Sequence, residues 1–299
     1  MFDTTRLQGA IDLDLVKKTK LVVVGIGGAN QLVENLIRSG FADITAIDFD
    51  TVESHNLAVQ GWYQDEVGLP KVEALQNRVK RIDPACKFTA LEADFMKMDN
   101  TARDKLIKQA DMLLMMTDNF YVQASGARLA LKYQIPAVLA AVYEYGQAGE
   151  ITFQIPGMTP ACHRCAVSSR YSAYLDEGFS NNVVSTGSTM FHTQYLNSAI
   201  GLITLALLHR HHSSDSCQFG GWFDKTWSHN LLQLRMSPRF NANFEDKTRE
   251  SFVFDSCWQE IEPEALPKYN ACPDCGGVGN LTGLGENLAI PDKWLTEYS

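Results

Sequence analysis

The chain has 299 residues, enough to bury one large hydrophobic core or one and a half. Its 45% apolar and 20% charged residues are the balance of a soluble globular fold, not of a disordered chain. A net charge of −9 argues against a basic nucleic-acid groove as the main function. The longest apolar run, Ile200–Leu208, is too short to cross a bilayer, and the N-terminus lacks the basic-then-apolar pattern of a secretion signal. A cytoplasmic protein with no membrane and no nucleic-acid partner is expected.

Residues 1–19 read as a polar helical lead-in. Strands are then expected at Lys20–Gly25, Ile44–Asp48, Lys87–Leu91, Met112–Met116 and Ala137–Ala141. Helices are expected between them at Ala29–Ser39, Lys71–Ile82, Arg103–Gln109 and Val122–Tyr133. This βαβα order predicts an α/β fold with a doubly wound, mostly parallel sheet. A nucleotide-binding half, residues 1–155, is followed by a C-terminal half, residues 156–299, within one continuous domain. Gly149–Ile155 alternates as a strand, and Thr189–His209 has helical spacing, apolar almost all round, which predicts a buried helix. Cys217–Phe254, rich in Trp, Phe, Ser and Asn, predicts a short antiparallel extension.

Gly25-Ile-Gly27-Gly28, after the first apolar run, is a turn that lets backbone approach phosphate at a helix N-terminus. A dinucleotide fingerprint has a third glycine where this chain has Asn30, so the turn alone leaves NAD and ATP both open. Asp48 closes the second strand, where a carboxylate meets ribose hydroxyls, and Asp50 and Asn56 enlarge that polar group. Lys71, after Gly68-Leu-Pro70, opens a helix at the end that disfavours cations, which points to an external anion such as the phosphates of ATP. Asp118 follows the apolar strand MLLMM and would enter the ligand crevice. There it would hold Mg²⁺, cap the next helix, or do both.

Cys162-His-Arg-Cys165 and Cys272-Pro-Asp-Cys275 are two CxxC pairs more than 100 residues apart. Together they fit a structural four-cysteine Zn²⁺ site that ties the C-terminal tail back to the chain leaving the sheet. His209-Arg-His-His212 follows a long helix, where such side chains suit the negative end of the helix dipole better than a metal.

Taken in order, GxGG, IDFDTVESHNL, GLPK, TDN, GQAGEITFQIPGMTPACHRC and CPDC resemble the ThiF/MoeB type of adenylyltransferase, bacterial relatives of ubiquitin-activating enzymes. The resemblance spans about residues 6–275. It implies a homodimer that uses ATP and Mg²⁺ to adenylate the C-terminal carboxylate of a ubiquitin-like or sulfur-carrier protein, or a peptide, ending in glycine. By the same resemblance Gly25, Gly27 and Gly28 line the ATP and Asp48 binds ribose. Asp50 and Asn56 support the phosphates, Lys71 contacts them, Asp118 holds Mg²⁺, and the four cysteines hold Zn²⁺. Arg6 resembles an arginine that reaches the partner subunit's ATP.

Two departures stand out. The family's NLxRQ reads Asn56-Leu-Ala-Val59-Gln60, so a phosphate-binding arginine is replaced by Val59, with Arg6, Arg38 or a partner-chain residue left to compensate. No cysteine lies between Cys165 and Cys217, so no thioester-forming thiol is evident there, and the expected product is the acyl-adenylate itself. A catalytically weakened binding or scaffold subunit is the alternative. An NAD-dependent oxidoreductase is a third reading.

Overall fold

Four apolar residues in a row make β1 (Lys20–Val24) a strand covered on both faces, with Leu21 to Val24 all buried. A computed structural model describes residues 3–180, 187–223, 226–240, 256–263, 271–284 and 288–298. The chain separates into two compact units, Met1–Thr117 with Thr193–Lys225, and Asp118–His192 with Thr226–Ser299.

In the first unit, α1 (Leu13–Lys18) precedes β1, and α2 (Asn30–Arg38) leads to β2 (Asp43–Asp48). The short α3 (Leu57–Gln60) and then α4 (Lys71–Ile82) lead to β3 (Lys87–Glu92), and α5 (Asn100–Lys108) leads to β4 (Met112–Met115). The strand order is β3-β2-β1-β4, every pair parallel. The chain steps from β1 outward to β3 and returns to β4 on the other side of β1. The crevice at the carboxyl ends of β1 and β4 is therefore a topological switch point, where open α/β sheets bind ligands.

The second unit begins with α6 (Phe120–Lys132), β5 (Ala137–Val142), β6 (Ala148–Gln154), α7 (His163–Ala166) and α8 (Ser168–Leu175). From α9 (Met190–Leu208), Thr193 onward belongs to the first unit. The chain then adds β7 (Leu231–Arg235), β8 (Ser256–Gln259) and α10 (Asp292–Glu297) to the second. There β5-β6-β7-β8 pair in sequence, all antiparallel. Four of the five strands expected to be parallel thus form the sheet of the first unit, while the fifth, β5, lies in the second and pairs antiparallel with β6. Of the stretch expected to be antiparallel, β7 is a strand, and β8 begins just beyond it. Residues 224–225 and 241–254 of the aromatic-rich stretch lie outside the described residues.

Two boundaries move for a visible reason. α5 starts three residues before the expected Arg103 because Asp99 accepts the Ala102 N–H at 2.9 Å as N-cap. α6 starts at Phe120 because Asn119, not Asp118, accepts the Val122 N–H at 3.2 Å. α9 is the expected buried helix along most of its C-terminal half but not all round. Phe191 is 81% and Leu202 46% exposed, and Gln194 and Ser198 are exposed with them, one stripe at helical spacing.

The histidines after α9 act as the dipole argument expects. His209 Nδ1 donates to the Leu205 carbonyl at 2.7 Å and Arg210 donates to the Leu207 carbonyl at 3.1 Å, second donors to carbonyls of the last turn that also accept a backbone N–H. His209 Nε2 then accepts the Asp12 N–H at 2.8 Å, and His212 Nε2 meets the Asp12 carboxylate at 3.1 Å. The cluster fastens the N-terminal segment to the end of α9.

Candidate active site

Gly25 has φ +82°, and a Cβ there would lie 2.8 Å from the Met116 carbonyl oxygen, so only glycine fits between β1 and the end of β4. Its N–H donates to the Ile47 carbonyl at 2.9 Å. Asp48, the last residue of β2, is buried and completes the turn. One carboxylate oxygen accepts the Ile26 N–H at 2.8 Å and the other accepts the Asp50 N–H at 3.0 Å. Burial pushes the Asp48 carboxyl above its ordinary value, outweighing these bonds and nearby Lys71. Each oxygen keeps a further lone pair, the acceptor capacity a ribose hydroxyl requires.

Gly27 faces the Gln60 side chain, which would lie 3.1 Å from an added Cβ. Asn30 ties turn and helix together by donating to the carbonyls of Gly27 at 2.6 Å and Gln60 at 2.5 Å. From α9, Asn197 donates to the Gly28 carbonyl at 2.8 Å and Thr193 to the Val59 carbonyl at 2.9 Å. Below this frame the buried Arg78 guanidinium binds Glu66, Glu34 at 2.9 Å and the Gly61 carbonyl at 3.1 Å. The glycine turn is held in place by side chains from α2 and α9, with Gln60 of α3 against it.

Beside it lies a cavity of about 340 Å³ lined by Phe49, Asp50, Thr51, Glu53, His55, Asn56, Gln60 and Lys71. Lys71 occupies the first turn of α4, as its sequence position implies, and its side chain is 6% exposed. Its Nζ is 2.8 Å from Asp50 Oδ2, whose side chain is 49% exposed. The ammonium therefore has an internal partner, one that water or an incoming anion can reach. Asn56 accepts the Glu53 N–H at 2.9 Å while Glu53 accepts the Asn56 N–H, a reciprocal box that fixes the one-turn helix Ser54–Asn56 on the cavity wall. Asp50, Asn56 and Lys71 were readable from the sequence. Phe49, Thr51, Glu53, His55 and Gln60 were not, although they fall within the same quoted segments.

The structure does not bring every candidate to this cavity. Arg6 is exposed on the one-turn helix Thr5–Leu7 and is not among the lining residues. Arg38 ends α2, about 12 Å along the axis from Asn30, and so cannot substitute at the glycine turn. Val59 is half-buried and also absent from the lining. Asp118 opens the second unit, exposed, one residue after Thr117, whose Cβ lies 3.1 Å from the Cβ position of Gly25. One exposed carboxylate fits the way Mg²⁺ is held, by few carboxylates with phosphates completing the shell.

In the second unit Cys162, Cys165, Cys272 and Cys275 are buried with all four sulfurs within 4.8 Å of one another. The Cys162–Cys165, Cys162–Cys272 and Cys165–Cys275 Sγ distances are 3.9, 3.7 and 3.6 Å. A regular tetrahedron around Zn²⁺ with Zn–S near 2.3 Å has edges of about 3.8 Å, so the donor set fits. Burial raises the Cys162 thiol, whereas thiol hydrogen bonds lower Cys275 and bring Cys272 to about 7. Asp274, inside the second pair, is buried between Arg128 and Arg164 Nη1, the latter at 3.3 Å. Arg128 also donates to the Ala289 carbonyl at 3.2 Å and lies over Trp294 of α10.

Comparison with known proteins places the chain. The ThiF family pattern matches residues 5–240. The chain belongs to the ThiF family. The molybdopterin-synthase adenylyltransferase of Escherichia coli (strain K12) is 31% identical over 155 residues, 51% of this chain and 60% of the relative. The tRNA threonylcarbamoyladenosine dehydratase of the same organism is 39% identical over 102 residues, 33% of this chain and 38% of the relative. The match thus spans about 60% of the length of the first relative and less of the second. Among solved structures, E. coli MccB with AMPCPP and MccA has a TM-score of 0.60 at 15% identity, covering 87% of this chain and 68% of MccB, a likeness of fold.

Proposed function

We propose that this ThiF-family chain is an ATP- and Mg²⁺-dependent adenylyltransferase. Its substrate would be the C-terminal carboxylate of a ubiquitin-like or sulfur-carrier protein, or of a peptide, ending in glycine, and its product an acyl-adenylate. The observation that carries the reading is the buried Lys71 ammonium, paired with a half-exposed carboxylate in a polar cavity beside a glycine turn that admits no side chain. A relative named as an adenylyltransferase, 31% identical over half of this chain, supports it.

In the reaction a carboxylate oxygen attacks the α-phosphorus of ATP, the bond from that phosphorus to the bridging oxygen breaks, and pyrophosphate leaves. Two anions must meet, so the protein's work is positioning and charge neutralisation rather than proton transfer. Gly25, Gly27 and Gly28 bring backbone close to the nucleotide, and Asp48 accepts from the ribose. Lys71, drawn from Asp50, contacts phosphate, with Asp50 and Asn56 shaping that side. Asp118 would hold Mg²⁺, which supplies a positive charge that stabilises phosphate oxygens. The four cysteines would hold Zn²⁺ as a cross-link between distant parts of the chain. A homodimer in which Arg6 reaches the partner's nucleotide completes the reading.

A stop at the acyl-adenylate suits two of the three other thiols, Cys217 and Cys86, while Cys257 is half-buried. Cys217 is buried, and burial pushes Cys86 up to about 11, far from the thiolate a nucleophile requires. Val59 favours one second reading, a binding subunit of weakened catalysis. ATP–pyrophosphate exchange with glycine-ended peptides separates the two. Exchange that depends on peptide and drops at least 100-fold in Asp118→Ala is expected; its absence with every peptide, or its survival in that variant, counts against catalysis or against the Mg²⁺ role.

A further inference from the structure

The phosphate side of the cavity carries an imbalance of charge. Its charged or titratable lining groups are Asp50 from the loop after β2, Glu53 and His55 from the one-turn helix, and Lys71 from α4. Lys71 and Asp50 pair at 2.8 Å and cancel, which leaves Glu53, its side chain 63% exposed, as the remaining acidic group of the lining. Arg6, Arg38 and Val59 supply no compensating charge to this lining. His55 does stand there, its side chain 72% exposed and its Nε2 3.3 Å from Glu53 Oε2. The reciprocal Glu53–Asn56 box holds the backbone on either side of it, so the ring is presented from a fixed turn.

We propose that His55 is a nucleotide-binding residue of this cavity, whose imidazolium form cancels Glu53 and donates a hydrogen bond to a phosphate oxygen. The inference rests on the adenylyltransferase reading and adds to it a source for the cation that position 59 lacks. A neutral imidazole keeps one N–H but leaves Glu53 uncompensated, so binding weakens as the ring loses its proton.

The test uses the full chain and titrates Mg²⁺–ATP by calorimetry between about pH 5.5 and 8.5 in three proteins: the wild type, His55→Gln and His55→Arg. The ring is exposed, so neither substitution disturbs the core. Titration of the nucleotide itself is common to all three proteins, and only differences between profiles report His55. The expected result is wild-type affinity that falls about tenfold relative to His55→Arg across this range, converging on His55→Gln at high pH. Superimposed wild-type and His55→Gln profiles with ATP still bound overturn the role of His55 alone. Failure of the wild type to bind ATP at any pH overturns the nucleotide reading of the cavity and His55 with it.

Discussion

The two units each hold a charged group out of water, and they do so differently. In the first, Lys71 is buried while its partner Asp50 is half in solvent. In the second, Asp274 and both of its arginines are sealed, with side-chain exposures of 1%, 10% and 6%. A sealed cluster cannot exchange partners without stranding a buried charge, so it serves to fix structure. A pair with one member in water can open toward an incoming phosphate at small cost, because solvent takes over Asp50. Similar contact chemistry thus gives a fastening in one unit and, in the other, a pair free to open.

Substitutions at both places should separate the two roles. The largest effect is expected for Asp274→Ala, which strands two buried guanidiniums and should cost about 3–5 kcal/mol in urea unfolding. A loss below about 1 kcal/mol would mean that the cluster is already hydrated. Lys71→Met keeps the apolar stem and removes the charge. It should lower pyrophosphate exchange by at least about 100-fold while stability moves by no more than about 1 kcal/mol. Equal losses of activity and stability there would erase the contrast.

The smallest effect concerns pH. Burial lowers His209 below its ordinary value near 6.5, since Nε2 already accepts a backbone N–H and a second proton has no place. Folded His209 resists a proton that the unfolded chain accepts. Its contribution is therefore complete above about pH 6.5 and is lost as pH falls through that value toward the folded one. Thermal melts should show a wild-type decline below pH 6.5 that His209→Gln reduces by about 1 kcal/mol or less; parallel curves would show that other groups carry the acid sensitivity.

Much of this was written in the sequence. The runs Leu21–Val24 and Met112–Met115 are apolar on both faces, and that alone marks inner parallel strands. The cysteine spacing announced four sulfurs that converge across 110 residues. The phosphate-side wall was less legible. His55 reaches the cavity only because Glu53 and Asn56 close a turn around it, and a three-residue turn leaves no periodicity to read. A cation at a helix N-terminus marks Lys71 as awaiting an external anion, yet Asp50 supplies an internal one through a pairing twenty-one residues apart. The stripe of α9 carrying Phe191 and Leu202 was missed because hydropathy does not say which apolar residues a fold leaves outside.

The bond from Asn197 to the Gly28 carbonyl joins residues 169 positions apart. A ribosome adding about 5–20 residues per second needs roughly 10–30 s to make that interval. The glycine turn emerges early, while the α9 side chains that brace it arrive only after the first cysteine pair has been synthesised. The first unit of a nascent chain consequently waits, its glycine turn unbraced, until most of the protein exists. A polypeptide released before residue 197 would carry every glycine of the turn and still lack the brace that orders it.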